Sequence, residues 1–463
     1  MDRRRFLAST LAAAFQPPRA ARPLNFVFIL ADDLGWADTG PYGADLHETP
    51  NLDRLAGQGM LFTRAYAASP VCTPTRASIM TGKHPARLHM TVWRENSLNP
   101  PRDRKLIPPQ TEPDLPHSEV TVAEMLRDAG YFTAHIGKWH LGGAAHYPET
   151  QGFDVNIGGA LWGAPQTYFY PYSGSRNFGG EYRYVPGLHG GKPGEYLTDR
   201  LTTEALRTLD LAGSRPFFLN LWHHTVHTPI EGQPALVDKY KARIRPGMKH
   251  RNAAYAAMVQ SLDDSVGRVM ADLDRRGIAD RTAVVFTSDN GGYVNPYQGL
   301  QVTDNSPLRS GKGSLYEGGL RVPLLVRWPG VTRPGSRCES PVCSTGFMAT
   351  MAEMAGLRPP PALDGVSLGP LLRGDRPPAD QELFFHYPHY YPTTTPAGAV
   401  IRGDWKLIEY FEDSHMELYN LKDDLSETRD LAAAKPEIAR DLHARLKAWR
   451  AEVGAQMPVP NPA

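Results

Sequence analysis

With 463 residues, 41% of them hydrophobic, the chain has the material for one large domain with a smaller companion and is excluded from the disordered class. Its 50 basic and 49 acidic residues leave a formal net charge of +1, which excludes a global field for gathering nucleic acid; any anion must be held by local charges. The three cysteines, Cys72, Cys338 and Cys343, exclude a disulfide framework, and whether the close pair Cys338 and Cys343 is bridged stays open.

In chain order, residues 1–21 read as an export leader. Arg3, Arg4, Phe6 and Leu7 match the twin-arginine pattern, and the apolar stretch 7–15 behind them is too short to span a bilayer. This predicts a periplasmic or exported protein, and no later apolar run is long enough for a transmembrane helix. Residues 24–30 are nearly continuously apolar, the pattern of a strand buried on both faces of a parallel sheet, and end in Ala31-Asp32-Asp33. A helix follows, with Thr49 as N-cap, Pro50 in its first position and Gly57 as its stop. Pro74 falls in the first turn of the next helix, which Gly82 closes. Cys72 therefore stands at a helix N-terminus, where free N–H groups favour negative charge.

A capping box at Thr121 and Glu124 opens a helix ending at Gly130, and residues 131–136 read as a strand. The alternation continues with a helix over 198–211, a strand over 217–222, a long helix over 253–276, strands over 283–287 and 324–328, and a helix over 347–355 stopped by Gly356. Past Pro377 and Pro378 come short extended runs at 383–387, at 399–410 with a turn at Gly403, and at 417–421, then a helix over 437–453. The predicted fold is α/β. A large, mostly parallel central sheet sandwiched by helices occupies residues 22–378, and a smaller C-terminal antiparallel sheet plus helix occupies 379–463.

Polar residues follow the strands with regularity: Asp32 and Asp33, Lys138 and His140, then His223, His224 and His227, then Asp289 and Asn290. The carboxyl ends of parallel strands form the ligand crevice of open α/β sheets, so these groups are expected to converge. Asp32, Asp33, Asp289 and Asn290 supply hard oxygen ligands, suited to Ca²⁺ or Mg²⁺, although each pair taken alone equally fits an Asx turn. The three histidines lack the glutamate of a helical zinc motif, and His223 and His224 receive no role. Cys72 by itself reads either as a low-pKa thiolate or as a buried structural cysteine.

The run Cys72-Thr73-Pro74-Thr75-Arg76, followed by Thr81-Gly82, resembles the C-x-P-x-R signature of type I, formylglycine-dependent sulfatases, the arylsulfatase-like branch of the alkaline-phosphatase superfamily. Residues 31–36, 49–53, 137–142, 227–229, 287–291 and 311–319 resemble that family's other blocks in order, and 417–421 its C-terminal domain. Two positions depart from the pattern: Thr75 stands where Ser or Ala is commoner, and Gly346 replaces an acidic residue.

The resemblance implies a sulfuric ester hydrolase in which a dedicated maturase oxidises Cys72 to formylglycine. The aldehyde hydrate would attack sulfur with one hydroxyl and expel sulfate with the other. It also implies that Asp32, Asp33, Asp289, Asn290 and residue 72 hold Ca²⁺, with Mg²⁺ as the alternative. Arg76 and Lys138 would fix hydrate and sulfate oxygens, His140 would assist collapse of the sulfated intermediate, and His227 and Lys312 would face the leaving oxygen. Trp162, Tyr168, Phe169, Tyr170 and Tyr172, with the loop 85–116 carrying Trp93, Arg94 and Glu95, suit sugar stacking and favour a sulfated saccharide as partner. His386 and His389 are expected near the pocket rim. The alternatives are phosphomonoester or phosphonate-ester hydrolysis, and non-catalytic binding of a sulfated glycan.

Overall fold

The first apolar run forms β1 (Asn25–Ala31), every residue of it buried, because both its faces are used at once. Val27, Ile29 and Ala31 enter one hydrophobic core, and Phe26, Phe28 and Leu30 enter the other. The computed structural model describes residues 23–376 and 381–462; the predicted leader and the predicted boundary at 378 lie outside the described residues.

Around β1 the chain builds β2 (Met60–Tyr66), β3 (Phe132–Gly137), β4 (Val155–Ile157), β5 (Phe217–Trp222), β6 (Thr282–Ser288), β7 (Arg321–Arg327), β8 (Ser336–Cys338) and β9 (Val342–Cys343). Their spatial order is β8-β2-β7-β6-β1-β5-β3-β4, with β9 also paired to β2. From β6 to β4 all pairings are parallel, while β7 runs antiparallel to both of its neighbours. On one face pack α1 (Pro50–Gln58), α4 (Leu197–Thr208) and α5 (Ala253–Arg275); on the other pack α2 (Cys72–Thr81), α3 (Val122–Asp128) and α6 (Phe347–Ala355).

Local details depart from the sequence reading where long-range contacts compete. Thr49 precedes α1 without capping it, because its hydroxyl accepts the Gly40 N–H at 2.7 Å. Gly57 lies inside α1, which ends at Gly59. The helix expected over 198–211 is α-helical only to Thr208 and tightens into a 3₁₀ turn, Leu209–Ala212. Strand β2 was not expected: Thr63 and Arg64 interrupt its apolar pattern, and it is held by pairing with β7. Cys338 and Cys343 are free thiols.

The C-terminal sheet is antiparallel in chain order: β10 (Glu382–Tyr387), β11 (Ala397–Arg402), β12 (Trp405–Tyr410) and β13 (Met416–Asn420). Val400, Leu407 and Leu418 on one face pack against Leu442 and Leu446 of α7 (Pro436–Glu452). Ala399, Ile401 and Ile408 on the other meet Tyr66, Leu315 and Leu320 of the main body. Across that seam the fully buried Lys406 ammonium lies 3.0 Å from Glu317 and 2.8 Å from Glu427. Lone buried charges are strongly unfavourable, so this trio fixes how the small sheet sits.

Candidate active site

Because β6, β1, β5 and β3 are consecutive and parallel, their carboxyl ends deliver Asp289 and Asn290, Asp32 and Asp33, His227, and Lys138 to one place. Cys72, the first residue of α2, points its sulfur at them, 3.6 Å from Asp32 Oδ1 and 4.0 Å from Asp33 Oδ1. Lys312 Nζ lies 3.5 Å from that sulfur and 2.7 Å from Asp33 Oδ1. Lys138 Nζ is 2.7 Å from Asp32 Oδ2, and His227 Nε2 is 3.6 Å from Asp33 Oδ2. Arg76, one helical turn after Cys72, donates to Asp289 Oδ2 at 2.9 Å and to the Lys138 carbonyl at 3.0 Å. Thr75 holds the approach to α2 by donating to the Ser69 carbonyl and accepting the Ser69 N–H. Gly291 lets the Asp289-Asn290 turn close down, since a Cβ there would meet the Gly318 carbonyl oxygen at 1.8 Å.

Three carboxylates and three cations are buried together, and their balance is uneven. Burial raises Asp32 to about 7 against the pull of Lys138, with Asp289 adding to the rise. Burial would raise Asp33 too, but Lys312 and His227 outweigh it and hold that carboxyl well below the usual range. Burial pushes the Cys72 thiol far up, so the unmodified side chain is a neutral thiol and not the thiolate its helix position allows. His227 is pulled down to about 3 by burial and by Lys312.

Above the cluster lies a cavity of about 220 Å³ lined by Cys72, His140, His227, Lys312, Trp93 and Glu95, among others. His140 Nε2 meets Glu95 Oε2 at 2.8 Å, and Glu95 Oε1 accepts the Gly163 N–H at 3.2 Å. The other ring nitrogen of His140, Nδ1, is buried without a partner. Burial lowers His140 to about 4 in spite of Glu95.

Several sequence expectations do not reach this cavity. Tyr168 and Tyr172 are wholly buried in the core; the Tyr168 hydroxyl donates to the His224 and His227 carbonyls at 2.5 and 2.9 Å, so it shapes the histidine turn from below. Phe169 and Tyr170 pack against the same core, and Trp162 pairs with Tyr184. Arg94 is engaged by Asp114. His386 is turned to the Gln456 carbonyl and His389 to Thr91, both buried away from the cavity wall. His223 contacts Ser265 of α5, and His224 is buried without a side-chain partner. Conversely, Tyr391, Phe178 and Arg183 line the cavity with no motif in the sequence to announce them.

The cluster has the chemistry of a cation site. One ligand atom from each of Asp32, Asp33, Cys72 and His227 lies within 4.8 Å of the others. Asn290 Oδ1 is buried with no hydrogen donor, the kind of orphaned oxygen a hard cation satisfies. Asp289 stands outside that foursome, its oxygens taken by Arg76 and by the Asp33 N–H.

Comparison with known proteins agrees with this geometry. The family model described as Sulfatase matches residues 24–357, and one described as N-sulphoglucosamine sulphohydrolase, C-terminal, matches 311–452. A sulfatase of Formosa agariphila is 33% identical, covering 96% of this chain and 92% of its own length. The steryl-sulfatase of Mus musculus is 34% identical, covering 83% and 71%. The N-acetylgalactosamine-6-sulfatase of Homo sapiens is 34% identical, covering 77% and 68%. Among solved structures, Ps i-CgsB in complex with k-i-k-neocarrahexaose superposes with a TM-score of 0.78 at 29% identity, covering 92% and 93%.

Proposed function

The chain belongs to the sulfatase family and is a sulfuric ester hydrolase, and we propose on that premise that it acts on a sulfated carbohydrate using a formylglycine made from Cys72 and a bound divalent cation. The observation that carries this reading is the meeting of Cys72, Asp32, Asp33 and His227 within 4.8 Å at the floor of a cavity. Asp32, Asp33, Asp289, Asn290 and residue 72 would hold the cation, with Ca²⁺ the first choice and Mg²⁺ the second for an oxygen-rich set. When present, the ion and the aldehyde hydrate supply an acidified oxygen nucleophile at neutral pH.

The chain's own residues do the rest. Three buried carboxylates balance Arg76, Lys138 and Lys312, so a divalent ion leaves a surplus of positive charge that attracts a sulfate ester. Arg76 and Lys138 fix the hydrate and the sulfate oxygens. His227 and Lys312 face the leaving oxygen, where negative charge develops. His140, clamped by Glu95, is aimed to move a proton when sulfate is released. A neutral, deeply buried thiol is a weak nucleophile as it stands, which supports the need for a changed side chain at 72.

The curated relatives include enzymes named for a sterol and for an amino sugar. The polar groups of the cavity lining, Glu95, His140, Arg183, His227 and Lys312, support the sugar, whose hydroxyls can add to the bonds they already make. The k-i-k-neocarrahexaose named for the solved neighbour supports the same class. The reading also includes a leader at 1–21 for twin-arginine export, a catalytic domain over 22–378 with the C-terminal subdomain over 379–463, and a maturase as an obligatory partner. Among the described residues no helix is long and apolar enough to cross a membrane.

The test is sulfate release from aryl and sugar sulfates against phosphate release from the matching aryl phosphate, with peptide mass spectrometry across Cys72 on the same preparation. Faster release of phosphate than of sulfate from fully modified protein would overturn the assignment.

A further inference from the structure

Tyr391 belongs to two cavities at once. One side of it lines the cavity over Cys72, and the other lines a second cavity of about 980 Å³, more than four times the 220 Å³ of the first. The ring comes this near the reacting groups because residue 313 is glycine. A Cβ there would lie 2.0 Å from the Tyr391 ring, and its φ of +89° disfavours any side chain. Thr393 fastens the same segment by donating to the Lys312 carbonyl at 2.6 Å, and Trp93 meets the Tyr391 ring edge-on at 5.7 Å. Tyr391, seated beside Lys312, is thus the residue that lines both spaces.

The second cavity runs between residues 101–105 and the far end of the small sheet. Its surfaces are half-buried flat rings edged with charge. Arg104 lies 5.8 Å over the Tyr390 ring, the Tyr390 hydroxyl donates to Glu412 at 2.7 Å, and Tyr410 stacks on His415 at 4.4 Å. Arg104 and Lys105 are set against Asp103, Glu412 and Asp413, so the groove is neither cationic nor apolar. Such a lining suits sugar rings, whose C–H faces rest on aromatic rings while their hydroxyls bond to carboxylates and guanidinium. A sterol would strip these charges of water, and a densely sulfated segment would meet more carboxylate than cation.

We infer that this groove is a binding subsite for the uncharged sugar residues that continue from the sulfated residue, so that the substrate is an oligosaccharide or polysaccharide and not an isolated sulfated sugar. The inference rests on the sulfatase reading above and extends it from the reacting bond to the chain that carries it. Binding energy collected at a distance from the scissile bond raises the efficiency of the chemical step. Efficiency should therefore grow with chain length, and the growth should depend on Arg104 and Tyr390.

The experiment compares kcat/KM for sulfated monosaccharides with that for matched hexasaccharides of galactan and fucan type that carry one sulfated residue. The expected result is at least a ~10-fold gain for the hexasaccharide in one series, reduced about three- to tenfold in Arg104→Ala and in Tyr390→Ala. Arg104 is exposed and its ion pair among the described residues is with neighbouring Asp103, so its loss should leave the fold intact, and melting curves check both variants. Equal efficiency on monosaccharides and hexasaccharides in every series, or a gain untouched by both substitutions, overturns the subsite. If no ester releases sulfate, the sulfatase reading has failed on its own, and the groove is judged by calorimetric titration of the full-length Cys72→Ala protein with the desulfated hexasaccharides. Binding weakened about tenfold by Arg104→Ala supports the groove; absence of binding by any of them overturns it.

Discussion

Asp33 and Asp38 stand five residues apart in one loop, both fully buried, and each heads a cluster dense enough in ligand atoms to hold a metal. Their surroundings differ in one respect. Asp38 is saturated: Oδ2 accepts from the Gly35 N–H at 2.7 Å and the Tyr255 hydroxyl at 2.6 Å, while Oδ1 accepts a short bond from Thr303 and faces His250 Nε2 at 3.2 Å. Asp33 meets one ammonium and one amide, Lys312 and Asn290, next to an orphaned Asn290 oxygen and a cavity. The charges follow suit. Burial works against all three members of the structural cluster: His250 outweighs it and lowers Asp38 to about 2, Asp38 and Asp45 outweigh it and raise His250 to about 9, and His47 is lowered to about 4 by burial and by His250. In the reactive cluster Asp33 is likewise held low, by Lys312 and His227, but its neighbour Asp32 is driven up to about 7 by burial. Crowded ligand atoms alone do not mark a working centre; unsatisfied ones beside a cavity do.

The sharpest way to break this contrast is to exchange the two roles by mutation. Cys72→Ala and Asp33→Asn should each lower sulfate release by about 10⁴-fold or more. The melting temperature should stay within a few degrees in Cys72→Ala, which removes no charge, and should fall in Asp33→Asn, which leaves the buried Lys312 ammonium with a weakened partner. Retention of activity in either variant would mean that the cluster is structural too. Chelation ranks next. Prolonged dialysis against a chelator should reduce turnover by roughly 10²-fold or more, and restoration by Ca²⁺ or Mg²⁺ should name the ion. Asp38→Asn should leave that response unchanged.

Asp38→Asn should instead destabilise the fold by about 3 kcal/mol in denaturant titrations, since it leaves a buried imidazolium with a weakened partner. Activity per folded molecule should persist. The smallest effect is in pH. The folded pKa of His250, about 9, exceeds that of an unfolded histidine, so its contribution is complete below about pH 6.5 and is lost as pH rises towards 9. The size is on the order of 2–3 kcal/mol, and His250→Gln should flatten that part of the stability-against-pH curve.

How much of this was legible beforehand varies with how local the determining physics is. β5 and α6 appear at the residues read from apolar pattern and stop signals, and the Thr121 and Glu124 capping box forms as expected, because each is decided within a few residues. Strand β2 was hidden because its justification is a partner some 260 residues away, β7. The convergence of Asp32, Lys138, His227 and Asp289 was foreseeable from the rule that parallel strands end together. That rule cannot say that Glu95 would clamp His140, or that Tyr391 would arrive from the small sheet, since both depend on loop paths with no periodic signal. The aromatic run at 168–172 was legible as aromatic and misread as a sugar platform: Tyr168 turns inwards to hold the histidine turn.

One consequence concerns timing during biosynthesis. Cys72 is 3% exposed, roofed in part by Tyr391, a residue translated more than 300 positions later. In the folded protein that sulfur is reached only through the small cavity above it. On the proposed reading, an enzyme that alters Cys72 would meet its target on a chain whose C-terminal part has not yet docked.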